Sequence, residues 1–181
     1  SAIFSGAGQS CVAGSRLLVQ RSVHEELLER VVTAAAALRL GDPLDPTTEI
    51  GPIIAGTQLD TIRTLISTGE AEGAVLHEAT GTRAALDAGP FAGGNWIVPT
   101  ILDGVKASDT LERSEVFGPV LGAATFDDEE EAVQRANNSA FGLAGAVWTN
   151  DVSRAHRVAN EVKAGTFWIN SYKTIHVAVP F

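Results

Sequence analysis

Short apolar runs and longer stretches of helical periodicity alternate along most of this chain. The short runs predict six β-strands, at residues 16–20, 74–78, 96–102, 120–126, 143–149 and 166–170. Apolar residues that recur every three or four positions predict helices at residues 23–40, 57–72, 128–138 and 152–163. Strands that alternate with helices through short connections favour right-handed crossovers and parallel pairing. We therefore predict one α/β domain, a three-layer arrangement of a mostly parallel sheet flanked by helices.

Residues that typically begin or end helices set the expected boundaries. Pro99 has no backbone N–H, so it predicts an edge position for the third strand. The acidic run at 128–131 falls in the first turn of a helix, where carboxylates favour the helix dipole, and this indicates capping rather than a metal site. The expected start signals are a Ser22–Glu25 capping box, Asp127 and Asp151, and the expected stop signals are Gly41, Gly73 and Gly165.

Composition narrows the class of protein. The chain has 181 residues, of which 45% are hydrophobic and 19% charged, as is typical of a globular domain. A formal net charge of -9 argues against nucleic-acid and anionic-membrane surfaces, because both would repel it. No apolar run reaches the ~18 residues that a membrane span requires, and no secretory leader is visible. We expect neither nucleic acid nor a membrane as a partner.

Cysteine and histidine usage limits the possible chemistry. Cys11 is the only cysteine, so no internal disulfide can form, which fits a reducing, cytoplasmic location. None of the four histidines pairs with another His or with the Cys at metal-ligand spacing. The sequence therefore predicts no metal site.

The segment around Cys11 is the part of the chain that suggests a function. Glycines at positions 6 and 8, followed by Gln9 and Ser10, are unfavourable in either a helix or a strand, so a buried structural cysteine does not explain them. A dinucleotide-binding glycine fingerprint does not explain them either, because a strand follows the glycines instead of preceding them. Small neighbours leave the thiol reachable, which favours a reactive cysteine.

Five sequence blocks, in order, resemble the NAD(P)-dependent aldehyde dehydrogenase superfamily. The first block, FSGAGQSCVAGSR at 4–16, is similar to the Gly-Gln-x-Cys motif that opens the catalytic domain of that family. The other blocks are GDPL with EIGP at 41–52, EVFGPV at 115–120, ANNSAFGLA at 136–144 and GTFWIN at 165–170. The resemblance spans essentially all 181 residues, and it implies the catalytic-domain fold of the family.

The resemblance implies roles for three residues in catalysis and cofactor binding. Cys11 corresponds to the nucleophile, whose thiolate attacks the aldehyde carbon and then carries a thioester, while its backbone N–H donates to the oxyanion. Glu115 corresponds to the residue that hydrogen-bonds the nicotinamide ribose, and Phe117 packs near the same group. The implied cofactor is NAD or NADP, bound mainly by a domain that these residues do not include.

The resemblance also implies a substrate pocket for a small-molecule aldehyde. Ser10 lies beside the nucleophile, Ser171 lies in the loop that borders the pocket, and Phe181 aligns with an aromatic residue at the aldehyde entrance. Plain hydrophobic packing explains Phe181 equally well. Gly6 stands where the family commonly has asparagine and Ser10 replaces various side chains, so the resemblance does not define the shape of the pocket.

Several parts of the family pattern are absent from these residues. No Glu-Leu-Gly-Gly block, which carries the general base, precedes Cys11, and neither the cofactor-binding domain nor the C-terminal oligomerisation segment is present. We therefore expect residues 1–181 to be the catalytic domain of a longer enzyme that is a homodimer or homotetramer. We expect the piece alone to be inactive as a dehydrogenase.

Two alternatives remain open at this point. Cys11 could serve a stand-alone thiol esterase, which forms an acyl-enzyme without a cofactor but needs a base that the histidine spacing does not supply. The domain could instead be a non-catalytic interaction module that keeps only the fold. The presence of both Cys11 and Glu115 argues against such a module.

Overall fold

A computed structural model describes residues 2–79, 86, 89–176 and 178. The strands are β1 (Arg16–Gln20), β2 (Val75–Glu78), β3 (Thr100–Asp103), β4 (Val120–Phe126), β5 (Ala144–Val147) and β6 (Thr166–Ile169). The helices are α1 (His24–Ala36), α2 (Gly56–Ala71), α3 (Thr110–Arg113), α4 (Glu129–Asn137) and α5 (Val152–Glu161). Within the described part of the chain, no helix is long and apolar enough to cross a membrane.

The strands form two sheets in which parallel pairing dominates. The larger sheet has the order β1-β4-β3-β2, with β4 parallel to both β1 and β3, and with β2 antiparallel at one edge. The smaller sheet pairs β5 with β6 in parallel, and α5 is the crossover between them. This arrangement confirms the predicted α/β class with its mostly parallel sheet and flanking helices. The six strands belong to two sheets, a division that the periodicity of the sequence does not predict.

The core lies between the central strands of the larger sheet and α2. Ile101 and Leu102 of β3 and Val120 of β4 are each at most 1% exposed, and Ile62 of α2 is fully buried. Burying side chains of this size contributes roughly 1.5–3 kcal/mol each, which makes the β3–β4 pair the firmest part of the domain. The start of β4 follows directly from the loop that carries Glu115 and Phe117. The core therefore fixes one side of the candidate site.

The predicted edge position of Pro99 is wrong. Pro99 lies just before β3, and β3 is an interior strand between β4 and β2. The missing N–H costs no ladder hydrogen bond, because pairing begins only at Thr100, whose N–H donates to the Pro119 carbonyl oxygen at 2.9 Å. The Pro99 carbonyl still accepts a hydrogen bond from the Ala79 N–H at 3.0 Å.

Helix α1 is shorter than its periodicity predicts at both ends. A 3-10 turn at Arg21–Val23 precedes it and Val23 is the N-cap, so the expected Ser22–Glu25 capping box does not form. The helix ends at Ala36 and not at the predicted position 40, so Gly41 is not its stop. Residues 39–41 instead pair with Ile50, whose N–H donates to the Arg39 carbonyl at 3.0 Å. Long-range pairing of this kind outweighs local helix propensity.

Two other helix ends follow the predicted chemistry, and a third differs from it by one residue. Gly73, at φ +102°, terminates α2, and the Asp151 side chain caps α5 by accepting from the Arg154 N–H at 3.0 Å. The α4 cap is Asp128 rather than the predicted Asp127, and its carboxylate accepts from the Glu131 N–H at 2.9 Å. Asp127 instead pairs with Arg21, which follows β1.

No group of metal-ligating side chains occurs among the described residues.

Glu129 in the first turn of α4 gives the domain a pH-dependent link to α5. Arg157 and Arg154 donate to its carboxylate at 2.8–3.0 Å. The Arg157 hydrogen bond is the main reason why the pKa of Glu129 falls from 4.5 to about 2. A carboxyl group with a lowered folded-state pKa stabilises the fold above its unfolded-state pKa, and this contribution is lost as the pH falls towards 2.

We expect Glu129→Gln to lower the free energy of unfolding at pH 7 and to have little effect at pH 2. At the lower pH, the wild-type carboxylate is itself half-protonated. Urea denaturation at several pH values measures this difference. Glu130→Gln, which removes the same charge from the same helical turn, is the matched control and should show a smaller pH-dependent difference. Equal pH dependence of the two variants would contradict the assigned link.

Candidate functional site

A left-handed turn presents Cys11 at the protein surface. Gly6, Ala7 and Gly8 have φ values of +63°, +53° and +69°, and the Gln9 N–H closes the turn on the Gly6 carbonyl at 3.1 Å. Ala7 is 2% exposed, so burial of its methyl group offsets the strain of a left-handed non-glycine residue. Cys11 is exposed, as expected for a reactive thiol.

Direct backbone packing joins this turn to the loop at residues 115–119. A Cβ atom added to Gly8 would overlap the carbonyl group of Gly118 and lie 2.7 Å from the Pro119 nitrogen. Gly118 in turn packs on Ile62, since a Cβ there would lie 2.6 Å from the Ile62 Cδ1 atom. The glycines therefore allow two loops that are more than 100 residues apart in sequence to touch.

Gln58 holds the second loop from the other side. Its side-chain amide donates to the carbonyl oxygens of Val116 at 3.0 Å and of Phe117 at 3.2 Å. Phe117 has a φ of +53° and is half-buried, whereas Glu115 is exposed on the same loop. Sequence reasoning missed Gln58, because a polar residue in the first turn of a helix carries no signal about which loop it will contact.

A third segment reaches the Cys11 turn from beyond β6. The Tyr172 hydroxyl donates to the carbonyl oxygen of Val12, the residue after Cys11. Ser171 is half-buried beside it and shares a hydrogen bond with the Thr174 hydroxyl at 2.9 Å. Sequence reasoning placed the loop but gave the tyrosine no role, although it is the only tyrosine in the chain.

A cluster of charged side chains, Arg16, Glu112 and Arg135, connects the segments that lead into and out of the site loops. Arg16, which begins β1 just after the Cys11 turn, donates to the Arg135 carbonyl at 3.2 Å and to the Ala136 carbonyl at 2.9 Å. Glu112, in α3 just before the Glu115 loop, is 2% exposed and pairs with Arg135 at 3.2 Å. Breaking a buried pair of this kind typically costs about 3–5 kcal/mol. The cluster therefore anchors the Cys11 segment and the α3 segment to one scaffold.

Two of the described histidines lie far from Cys11. His24 follows the far end of β1 and bonds the Asp103 carboxylate at 2.7 Å, so the length of the strand, roughly 16 Å, separates it from the cysteine turn. His77 is in β2, at the opposite edge of the sheet from β1. Neither histidine can therefore be the neighbouring general base that a stand-alone thiol esterase requires.

The structure brings together the segments that carry five of the six predicted site residues. Ser10 and Cys11 directly follow the left-handed turn, Glu115 and Phe117 lie on the loop that packs against that turn, and Ser171 is next to the tyrosine that bonds the Val12 carbonyl. Phe181 lies outside the described residues. The site is therefore a junction of three loops rather than a property of one motif.

Fold and site together define an α/β domain that presents an exposed cysteine against a Glu-x-Phe-Gly-Pro loop. The chain matches the aldehyde dehydrogenase family over residues 1–181. It belongs to that family, as the sequence blocks predict.

Curated relatives are similar over almost the whole chain. Betaine aldehyde dehydrogenase from Mesorhizobium japonicum is 42% identical over 178 residues, which are 98% of this chain and 36% of the relative. Betaine aldehyde dehydrogenase from Brucella melitensis is 43% identical with the same coverage. The chain thus spans about a third of the length of the curated relatives it matches.

Solved structures give the same result at the level of the fold. HpcC from Thermus thermophilus superimposes with a TM-score of 0.92 at 40% identity, covering 99% of this chain and 35% of that one. Indole-3-acetaldehyde dehydrogenase in complex with NAD+ has a TM-score of 0.90 at 39% identity, covering 100% of this chain and 36% of that one. The matched part therefore covers almost the whole chain in both structures.

Proposed function

We propose that this chain supplies the catalytic cysteine of an NAD(P)-dependent aldehyde dehydrogenase, which oxidises a small aldehyde to a carboxylic acid. The observation that carries the proposal is the junction of the exposed Cys11 turn with the Glu115–Pro119 loop through Gly8 and Gly118. In a chain of this family, that junction joins the segment that carries a reachable thiol to the loop that carries a carboxylate suited to a ribose. A purely structural cysteine needs neither feature.

The chemistry begins at the Cys11 sulfur. Its thiolate forms a C–S bond with the aldehyde carbon, and the carbonyl electron pair moves onto the oxygen. No hydrogen bond among the described residues uses the Cys11 N–H, so it is free to donate to that oxyanion. Loss of hydride from carbon leaves a thioester on Cys11, and water then displaces the thiolate to give the acid. The base for that water is, by the family resemblance, a glutamate outside these 181 residues.

The side chains of the Glu115–Pro119 loop suit a nicotinamide cofactor in their chemistry. The exposed Glu115 carboxylate can accept hydrogen bonds from both hydroxyl groups of a ribose. The half-buried Phe117 offers an apolar ring on the same loop, and Gln58 fixes the carbonyl of that residue. NAD or NADP, when bound, supplies the hydride acceptor, and the proposal covers both.

The proposal names the substrate as an aldehyde without choosing one. Relatives and solved neighbours carry the names of two different aldehydes, betaine aldehyde and indole-3-acetaldehyde. A family that accepts both supports the aldehyde group as the shared feature. We further propose that the complete enzyme is a cytoplasmic homodimer or homotetramer, as the sequence resemblance implies.

The test uses the full-length protein that contains this chain. With an aldehyde and either NAD or NADP, we expect reduced cofactor to accumulate, as followed by its absorbance. Iodoacetamide should abolish turnover in proportion to the fraction of Cys11 alkylated, as located by mass spectrometry. The 181-residue chain alone should give no turnover. Full turnover after complete alkylation of Cys11 would contradict the proposal, and a burst with an activated ester in the isolated chain would favour a thiol esterase.

A further inference from the structure

The only tyrosine in the chain contacts the backbone next to the proposed nucleophile. The Tyr172 hydroxyl donates to the Val12 carbonyl oxygen across 160 residues of sequence. Val12 lies inside a tight turn, because the Ala13 N–H donates to the Ser10 carbonyl at 2.9 Å. Tyr172 therefore holds the turn that contains Cys11 at the peptide between Val12 and Ala13.

The Tyr172 ring is itself held in place by two tryptophans. It stacks edge-on against Trp168, with ring centroids 5.3 Å apart and planes inclined by 60°, and it lies 6.4 Å from the Trp148 ring. Trp168 is 7% exposed, and its indole N–H donates to the Thr174 carbonyl at 2.9 Å. A ring packed in this way loses little further freedom when its hydroxyl makes a hydrogen bond, so the contact is pre-organised.

Hydrogen bonds also hold Asn170, two residues before Tyr172, in place. Asn170, at φ +50°, exchanges two hydrogen bonds with the Thr149 backbone, each 2.9 Å long. These bonds join the end of β6 to the segment that follows β5. The residues that lead into Tyr172 are therefore attached to the end of the smaller sheet.

Gly14 provides the space that the ring needs. A Cβ atom there would lie 3.3 Å from the Tyr172 hydroxyl oxygen and 3.6 Å from the ring carbon that bears it. The phenol therefore lies directly on the backbone of residues 12–14. Burial raises the pKa of Tyr172, with the Gly14 backbone hydrogen bond opposing the rise. The hydroxyl consequently remains a donor over the pH range in which thiols ionise.

We propose that Tyr172 is a positioning residue for Cys11. By holding the Val12 carbonyl, it fixes the backbone of the turn and hence the direction from which the sulfur meets the aldehyde carbon. This inference rests on the proposed function, because direction of approach matters only if Cys11 is the nucleophile. A reacting group displaced by ~1 Å can lose on the order of 10²-fold in rate, so one hydrogen bond at this peptide is enough to matter.

The first test compares Tyr172→Phe with Thr174→Val in the full-length enzyme. Phenylalanine keeps the ring and its packing on both tryptophans and removes only the hydroxyl. Thr174→Val removes a hydroxyl from the same segment, one that bonds Ser171 and does not reach the Cys11 turn. We expect Tyr172→Phe to lower kcat by roughly tenfold or more, when kcat is calculated for the fraction of enzyme whose Cys11 can be alkylated. The KM for the aldehyde should change less than about twofold. Thr174→Val should keep the wild-type kcat.

The second test follows the turn in the 181-residue chain without any turnover. Tyr172→Phe should accelerate hydrogen exchange of the Ala13 amide by roughly tenfold or more, because the turn opens more often, while Thr174→Val leaves it unchanged. Unchanged exchange, or an unchanged kcat with accelerated exchange, would overturn the positioning role. Equal losses of kcat in both variants would also overturn it. If instead Cys11→Ser retained turnover, the proposed function would fail, whatever the exchange data.

Discussion

Cys11→Ser is expected to lower the aldehyde-oxidising kcat of the full-length enzyme by roughly 10³-fold or more. Serine is nearly the same size and keeps the exposed position just after the left-handed turn, so the fold should be unaffected. A hydroxyl gives up its proton far less readily than a thiol, and it is a weaker nucleophile without an adjacent base. His24 and His77 lie at other places in the fold and cannot activate the substituted hydroxyl.

Steady-state turnover and thiol labelling together measure this effect. Ser5→Ala is the matched control, because Ser5 is exposed on the same turn and its hydroxyl has no proposed role. That variant should retain wild-type turnover and full alkylation of Cys11. Substantial turnover by Cys11→Ser, with the thiol shown by mass spectrometry to be absent, would remove Cys11 from the reaction and leave only the family fold.

Gly8→Ala is expected to destabilise the chain by about 3–5 kcal/mol. The added methyl group would collide with the backbone of Gly118 and Pro119, which cannot rotate away as a side chain could. Gly8 also has a φ of +69°, a conformation that costs a non-glycine residue about 1–2 kcal/mol by itself. The two loops that form the site would have to separate to accommodate the change.

Gly6→Ala separates these two causes. Gly6 has a similar φ of +63°, but nothing lies within 4 Å of the added Cβ atom. It should therefore lose only the conformational part, about 1–2 kcal/mol. Urea denaturation of both variants gives the comparison, and turnover of the full-length variants shows whether the junction matters for activity. Equal destabilisation by the two substitutions would mean that the close contact between the loops carries no energy.

The sequence predicted most of the regular structure because most elements are dictated locally. The bounds of β1 and β4 agree with prediction at both ends, since each is a short apolar run. The start of α5 and the end of α2 agree because Asp151 and Gly73 act on their own helices, whereas α5 ends at Glu161, four residues before the predicted stop at Gly165. Predictions were wrong where a distant partner intervened, as at residues 39–41, which leave the helix to pair with Ile50.

In the candidate site, too, the residues within local motifs were predicted and the residue that depends on a distant contact was not. Cys11, Glu115 and Phe117 were identified from motif blocks, which are strings of neighbouring residues. Gln58 was not identified, because its partners are carbonyl oxygens 58 and 59 residues away. Its residue type does not encode such a contact.

The sequence by itself determined the α/β class, the family and the reactive-thiol candidate, because periodicity, glycine placement and motif order all act over a few neighbouring residues. Only the tertiary structure decided that the Gly8 backbone packs against Gly118 and that the Tyr172 hydroxyl reaches the Val12 carbonyl. Both contacts join segments more than 100 residues apart. Their geometry depends on how β1, β4 and β6 are placed by sheet pairing and core packing, which no local pattern specifies.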